Sequence, residues 1–96
     1  MAEYRLSPAA QRDLDGIFDH TMKRWGLAQA LHYIDLIEAA CGALAETPLQ
    51  SQDCAVVRPG YRRRGVGRHA IYFRQTDYGI AIMRILHRRM DLARHL

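Results

Sequence analysis

Positions Leu14, Ile17, Phe18, Thr21 and Trp25 follow one another at spacings of three and four, while Asp13, Asp15 and Asp19 fall on other faces. That period predicts an amphipathic helix. Ser7 is placed to cap it and Pro8 to fill its first position, where a missing N–H costs nothing. Gly26 marks its end, and Lys23 and Arg24 in the last turn suit the negative end of the helix dipole. A second stripe, Leu27, Leu31, Ile34, Ile37, Cys41 and Leu44, predicts a helix from Leu27 or Ala28 to about Ala45, stopped by Pro48. Its many alanines favour the helix and permit close approach of a neighbour. The link at Gly26 is so short that the two helices must fold back on each other, with Phe18, Trp25, Leu31 and Ile34 expected between them.

After a turn-rich connection over 46–59 the period changes from helical to alternating. "RHAIYFRQ" sets Ile71 and Phe73 against Tyr72 and Arg74, "TDYG" is a turn, and "IAIMRILH" is apolar on both faces, as a central strand is. Residues 68–75 and 80–87 are expected to pair as an antiparallel hairpin. "GYRRRGVG" reads as a preceding edge strand loosened by glycine, "EYRL" at 3–6 as a short extra strand, and "RRMDLARHL" as a short helix or irregular arm. The fold class is therefore α+β: an N-terminal helical hairpin packed on a small twisted antiparallel β-sheet. With helices on one face only, Tyr72, Met83 or Ile85 is expected near solvent, and such an apolar strip ordinarily meets a partner.

Size and charge sharpen this reading. At 96 residues and 49% hydrophobic content the chain is read as one domain, 1–96, with a core too small for a large catalytic cavity. Residues 1–57 hold 4 Lys+Arg against 8 Asp+Glu, a net of −4, whereas 58–96 hold 10 arginines against 2 aspartates, a net of +8. Arginine forks match carboxylate and phosphate, so the second half is built to draw an acidic partner. Both helices carry mostly acidic polar faces, so neither reads as a DNA-recognition helix, and DNA binding by the chain alone is expected to be weak. The start has no apolar signal core and no stretch reaches a membrane span. Cys41 and Cys54 read as free thiols of a cytoplasmic protein.

The candidate chemistry thins out on inspection. His20, His32, His69, His87, His95 and the two cysteines show no zinc spacing, so no metal is expected. "GYRRRGVG" lacks a Walker lysine and a following helix, so no nucleotide cofactor is expected. Ser7 is a cap, Ser51 has no neighbouring base and Cys41 lies on the buried stripe, so no nucleophile stands out. RNA scission is the one serious enzymatic option. Arg62, Arg63, Arg64, Arg74 and Arg84, with His69, His87 and Tyr72 on adjacent strands, are its pieces.

Three long stretches carry a family resemblance. "LSPAAQRDLDGIFDHTMKRWGLAQALHYIDLI" resembles the opening of the ParE toxins of bacterial toxin–antitoxin modules. "GYRRRGVGRHAIYFR" and "GIAIMRILHRRMDLARHL" resemble their second half. The resemblance runs in order along nearly the whole chain and places it in the RelE/ParE superfamily. It implies a helical hairpin on a twisted sheet and a toxin neutralised by a ParD-like antitoxin, in a complex that can hold two copies of each. ParE-like members act on DNA gyrase and so block replication; RelE-like members cleave messenger RNA in the ribosome. The absence of lysine after Lys23 and of tyrosine after Tyr78 favours the first, non-enzymatic branch, with no catalytic residue. His87 and, more loosely, His69 fall near catalytic positions of the second. Target contact is implied for the segment 84–96, with Arg84, His87, Arg88, Arg89, Met90 and Arg94 as its residues. Antitoxin contact is expected at Tyr61, Arg62, Arg64, Tyr72, Arg74, Met83 and Ile85. Operator DNA is expected to be bound only through the antitoxin.

Overall fold

The computed structural model describes residues 2–50, 52–53 and 59–90. The order is β1 (Glu3–Leu6), α1 (Pro8–Trp25), α2 (Leu27–Glu46), a single 3₁₀ turn (Pro48–Gln50), β2 (Gln52–Asp53), β3 (Tyr61–Val66), β4 (His69–Gln75) and β5 (Gly79–His87). The cap of α1 forms as its sequence dictates: Ser7 Oγ accepts from the Ala10 N–H at 3.0 Å and Pro8 takes the first position. Between the helices Gly26 adopts φ +93°, a conformation only glycine takes without strain, and the chain reverses in one residue.

The strands lie in the order β1-β5-β4-β3-β2. β5, β4, β3 and β2 are successively antiparallel, but β1 pairs parallel with β5, Glu3 opposite Gly79 and Leu6 opposite Ile82. The sheet is thus mixed rather than purely antiparallel. A parallel neighbour needs a long crossover, and here the helical hairpin and three strands intervene. The irregularity in the β4–β5 ladder falls where Tyr72 opposes Arg84 and Phe73 opposes Ile82, so Met83 has no partner. This bulge aims its spare carbonyl at the helix start, where Ser7 Oγ donates to Met83 O at 2.9 Å. One serine hydroxyl therefore caps α1 and pins it to β5.

The main core lies between the hairpin and the sheet. Leu14 and Ile17 of α1 and Ile37, Cys41 and Leu44 of α2 pack on Ile71, Phe73, Ile80, Ile82 and Ile85. Each fully buried large side chain here contributes roughly 1.5–3 kcal/mol. Cys41 is a free, buried thiol, and burial pushes it up to about 12, so it is inert packing. The contact within the hairpin differs from the expected one. Ile34 is partly buried, but Trp25 is 62% and Leu31 51% exposed, because the apolar stripe continues past the part of the hairpin that the sheet covers.

The opposite face of the sheet carries a second apolar cluster of Tyr61, Ala70, Tyr72 and Leu86, with Met83 packed against it. Tyr72 is only 4% and Ile85 only 2% exposed, so neither is the open strip expected of them. Both faces of β4 are buried from Ala70 to Phe73, and the alternation sorts residues between two clusters rather than between core and solvent. No helix among the described residues is long and apolar enough to cross a membrane.

Candidate functional site

Two adjoining cavities, of about 500 and 420 Å³, open between α1, α2, the β3–β4 turn and the end of β5. His20, Thr21, His69 and His87 line both and join them into one cleft. Its floor is set by strand register. His69 begins β4 and His87 ends β5, the two are direct partners, and their rings meet edge to face with centroids 5.6 Å apart. The first cavity is walled by Arg24, Trp25, Tyr33 and Arg68, and the second by Arg12, Asp13, Arg84 and Met90.

Tyr33 on α2 fixes one end. Its hydroxyl lies 2.7 Å from His69 Nδ1, donates toward Val66 O at 3.2 Å and accepts the Arg68 N–H at 3.1 Å. The β3–β4 turn can come this close because Gly67 has φ +55° and no side chain, and a Cβ there would strike the Tyr33 ring. Burial, then the neighbouring His87 and His20, push His69 down to about 4, with Asp13 opposing. The ring is neutral at pH 7. Because the folded-state value lies below the ordinary 6.5, the unfolded chain binds more protons between pH 6.5 and about 4. The stability that neutral His69 allows is whole above that window and declines as pH falls through it. Urea midpoints measured from pH 7.5 to 4 are expected to fall more steeply for the wild type than for His69→Gln. Parallel profiles for the two would contradict this.

The other end is locked by a salt bridge that crosses from helix to strand. Arg84 donates from Nε to Asp13 Oδ2 at 2.7 Å and from Nη2 to Oδ1 at 2.9 Å, while the Ile85 N–H donates to Oδ2 at 2.9 Å. Both side chains are largely covered, at 22% and 14% exposure. Donating these hydrogen bonds to the Asp13 carboxylate pushes the Arg84 guanidinium further above its ordinary range. Asp13 is not among the site residues expected from the sequence, and its role in the fold is to hold Arg84 and the Ile85 N–H in place. It stands one turn before Ile17, at the edge of the buried stripe rather than on the solvated face, and that spacing was the available signal. Asp15 and Asp19 are exposed, as a solvated face requires.

Against this geometry stand the comparisons with known proteins. Residues 4–92 match the family model described as "ParE toxin of type II toxin-antitoxin system, parDE". The chain belongs to the ParE toxin family. It is 42% identical over 96 residues to Toxin ParE1 of Mycobacterium tuberculosis, covering 99% of this chain and 98% of that one. Against Toxin ParE1 of Caulobacter vibrioides it is 38% identical over 96 residues, covering 100% and 99%. A solved structure described as "Chromosomal ParDE TA system from P. aeruginosa" superposes with a TM-score of 0.78 at 26% identity, covering 91% of this chain and 96% of that one. This ParE-family chain is the toxin component of a ParDE-like toxin–antitoxin system.

The residues expected to act in this ParE-family toxin separate into groups. Arg84 is held by Asp13 and is not the exposed strand-end charge its position suggested. His87 lies in the cleft, its Nδ1 accepting the Arg89 N–H at 3.2 Å in the turn after β5. Arg88, Arg89 and Met90 are exposed there, and Arg94 lies outside the described residues, as do Cys54, Ser51 and His95. The Arg88 guanidinium rests against Gly65 of β3, a contact that this exposed, flexible side chain could give up if a Cβ were added there. Of the three arginines between those glycines, Arg62 donates to the Pro48 and Leu49 carbonyls at 3.1 and 3.3 Å and ties β3 to the turn after α2. Arg63 donates to Tyr72 Oη at 3.2 Å, and Arg64 is exposed. Among the positions expected to meet antitoxin, Tyr61, Tyr72 and Ile85 are buried within this chain, Met83 is half-buried, and Arg64 and Arg74 are exposed. Among the described residues the large apolar side chains that do face outward lie mostly elsewhere: Met22, Trp25, Leu27, Leu31, Leu36 and Leu49, with Met90 after β5. Among the described residues no group of three or more His, Cys, Asp or Glu could hold a metal ion.

Proposed function

We propose that this toxin is neutralised by a ParD-like antitoxin and, when free, inhibits DNA gyrase and thereby replication. The observation that carries the reading is the match to the ParE family along nearly its whole length. The exposed arginines after β5 and the net +8 of the second half suit acidic or phosphate-bearing surfaces on the target and an acidic neutralising segment in the antitoxin. An antitoxin segment that folds on binding would cover the apolar side chains left open on the hairpin.

A second reading, ribosome-dependent cleavage of messenger RNA, rests on the facing His69–His87 pair. It is the weaker of the two. Scission needs a proton donor and acceptor poised near the working pH. His69 stays neutral down to about 4 and its Nδ1 is occupied by Tyr33, and Arg84 is bound to Asp13. Induced expression separates the readings in cells. Gyrase inhibition predicts chromosomal breaks with messenger RNA intact, both growth arrest and breaks being suppressed when the antitoxin is co-expressed. Codon-positioned RNA cuts that disappear in His87→Ala, without DNA breaks, would establish the second reading instead.

A further inference from the structure

The cleft described above is more than a by-product of packing. We infer that it binds a single unpaired nucleotide of a nucleic-acid strand, its phosphate held by Arg24, Arg68 and His87 and its base stacked on Trp25. The inference does not depend on which large target the toxin attacks.

Four observations converge on it. First, size: each of the joined cavities falls within the roughly 300–1,000 Å³ of small-ligand sites. Second, charge: four arginines and one aspartate line the cleft, and the aspartate is neutralised by Arg84, leaving Arg12, Arg24 and Arg68 to set the field. Third, donors: His87 Nδ1 is occupied by the Arg89 N–H, so in the neutral ring Nε2 carries the proton and is a hydrogen-bond donor. Fourth, the aromatic wall: Trp25 is 62% exposed at the rim, with the Arg24 guanidinium 5.7 Å from its ring centroid. An exposed indole beside arginines is how proteins hold unpaired bases while charge holds the phosphate. An acidic protein segment would use the arginines but gain less from an open aromatic face.

Trp25 is the only tryptophan of the chain and lines the cleft, so its fluorescence reports directly on occupancy. The full-length toxin is titrated at low salt with an eight-nucleotide deoxythymidine strand, a uridine strand of the same length, an abasic strand and an acidic peptide of equal charge. Anisotropy of labelled strands serves as a second readout. Both base-bearing strands are expected to quench Trp25, with dissociation constants of roughly 10⁻⁴–10⁻⁶ M when extrapolated to physiological salt and tighter values at low salt. Equal affinity for the two would show that phosphate and base suffice; a preference for uridine would add recognition of the 2′-hydroxyl. The abasic strand is expected to bind at least about fivefold more weakly. Arg68→Ala and Arg24→Ala, both at exposed positions, are each expected to weaken binding about tenfold and to reduce the salt slope by about 0.7. Arg5→Ala, the same charge change at an exposed position of β1 away from the cleft, is expected to stay within about twofold. The proposal is overturned if no strand quenches, if Arg5→Ala weakens binding as much as Arg68→Ala, or if the abasic strand binds as well as the others. An acidic peptide that quenches equally would assign the cleft to protein instead.

Discussion

Asp13→Ala is expected to lower stability by about 3 kcal/mol, a large part of the total for a domain of this size. The substitution leaves Arg84 largely covered without its carboxylate and removes the acceptor of the Ile85 N–H. A partly covered cation without its partner and an unsatisfied backbone donor both act in the same direction. In melting temperature the loss corresponds to roughly 12–24 °C. Arg84→Met is expected to cost about half as much, because Asp13 keeps its bond to Ile85 and the methionine can fill the space. Urea unfolding followed by circular dichroism measures both. An Asp13→Ala variant within about 0.5 kcal/mol of wild type would show that water replaces the bridge without loss.

The second large effect concerns the segment after β5. Arg88→Ala combined with Arg89→Ala is expected to abolish growth arrest while leaving the fold intact. Both residues are exposed, and neither contributes to the buried clusters. If they contact the target, losing desolvated charge pairs costs 2 kcal/mol or more, so the toxin concentration for half-inhibition should rise at least about 30-fold. Arg84→Met should reduce toxicity only in proportion to its lost stability. A fully toxic double variant, or a loss traced to unfolding, would remove the arm from the target surface.

The helical hairpin was legible because its signals are local. Ser7, Pro8 and Gly26 mark ends, and the three-and-four spacing marks a face, all within a few turns of chain. The strands at 69–75 and 79–87 were legible from the change of period, with ends that moved by one residue. What stayed hidden depends on residues far apart in sequence. No local pattern shows that β1 runs parallel to β5, or that Asp13 meets Arg84 across the layer between helix and sheet. The cover of Tyr72 is equally non-local: it comes from Tyr61 and Leu86 on separate strands. Arg62 and Arg63 looked like free binding charges, but hydrogen-bond to a turn and a tyrosine that lie close only in the fold. His69 and His87 stand out in the sequence, while Tyr33, His20 and Trp25, which complete their cleft, come from the helices and depend on the tertiary arrangement.

Inhibition of gyrase is tested most directly with purified toxin and DNA gyrase on relaxed plasmid. The wild-type chain is expected to inhibit supercoiling or to accumulate cleaved plasmid in a gyrase-dependent manner, the Arg88→Ala, Arg89→Ala double variant to do neither, and the ParD-like antitoxin to reverse the effect at equimolar amounts. Unimpaired supercoiling at saturating toxin, with no gyrase-linked cleavage and with messenger RNA cut on translating ribosomes, would contradict it.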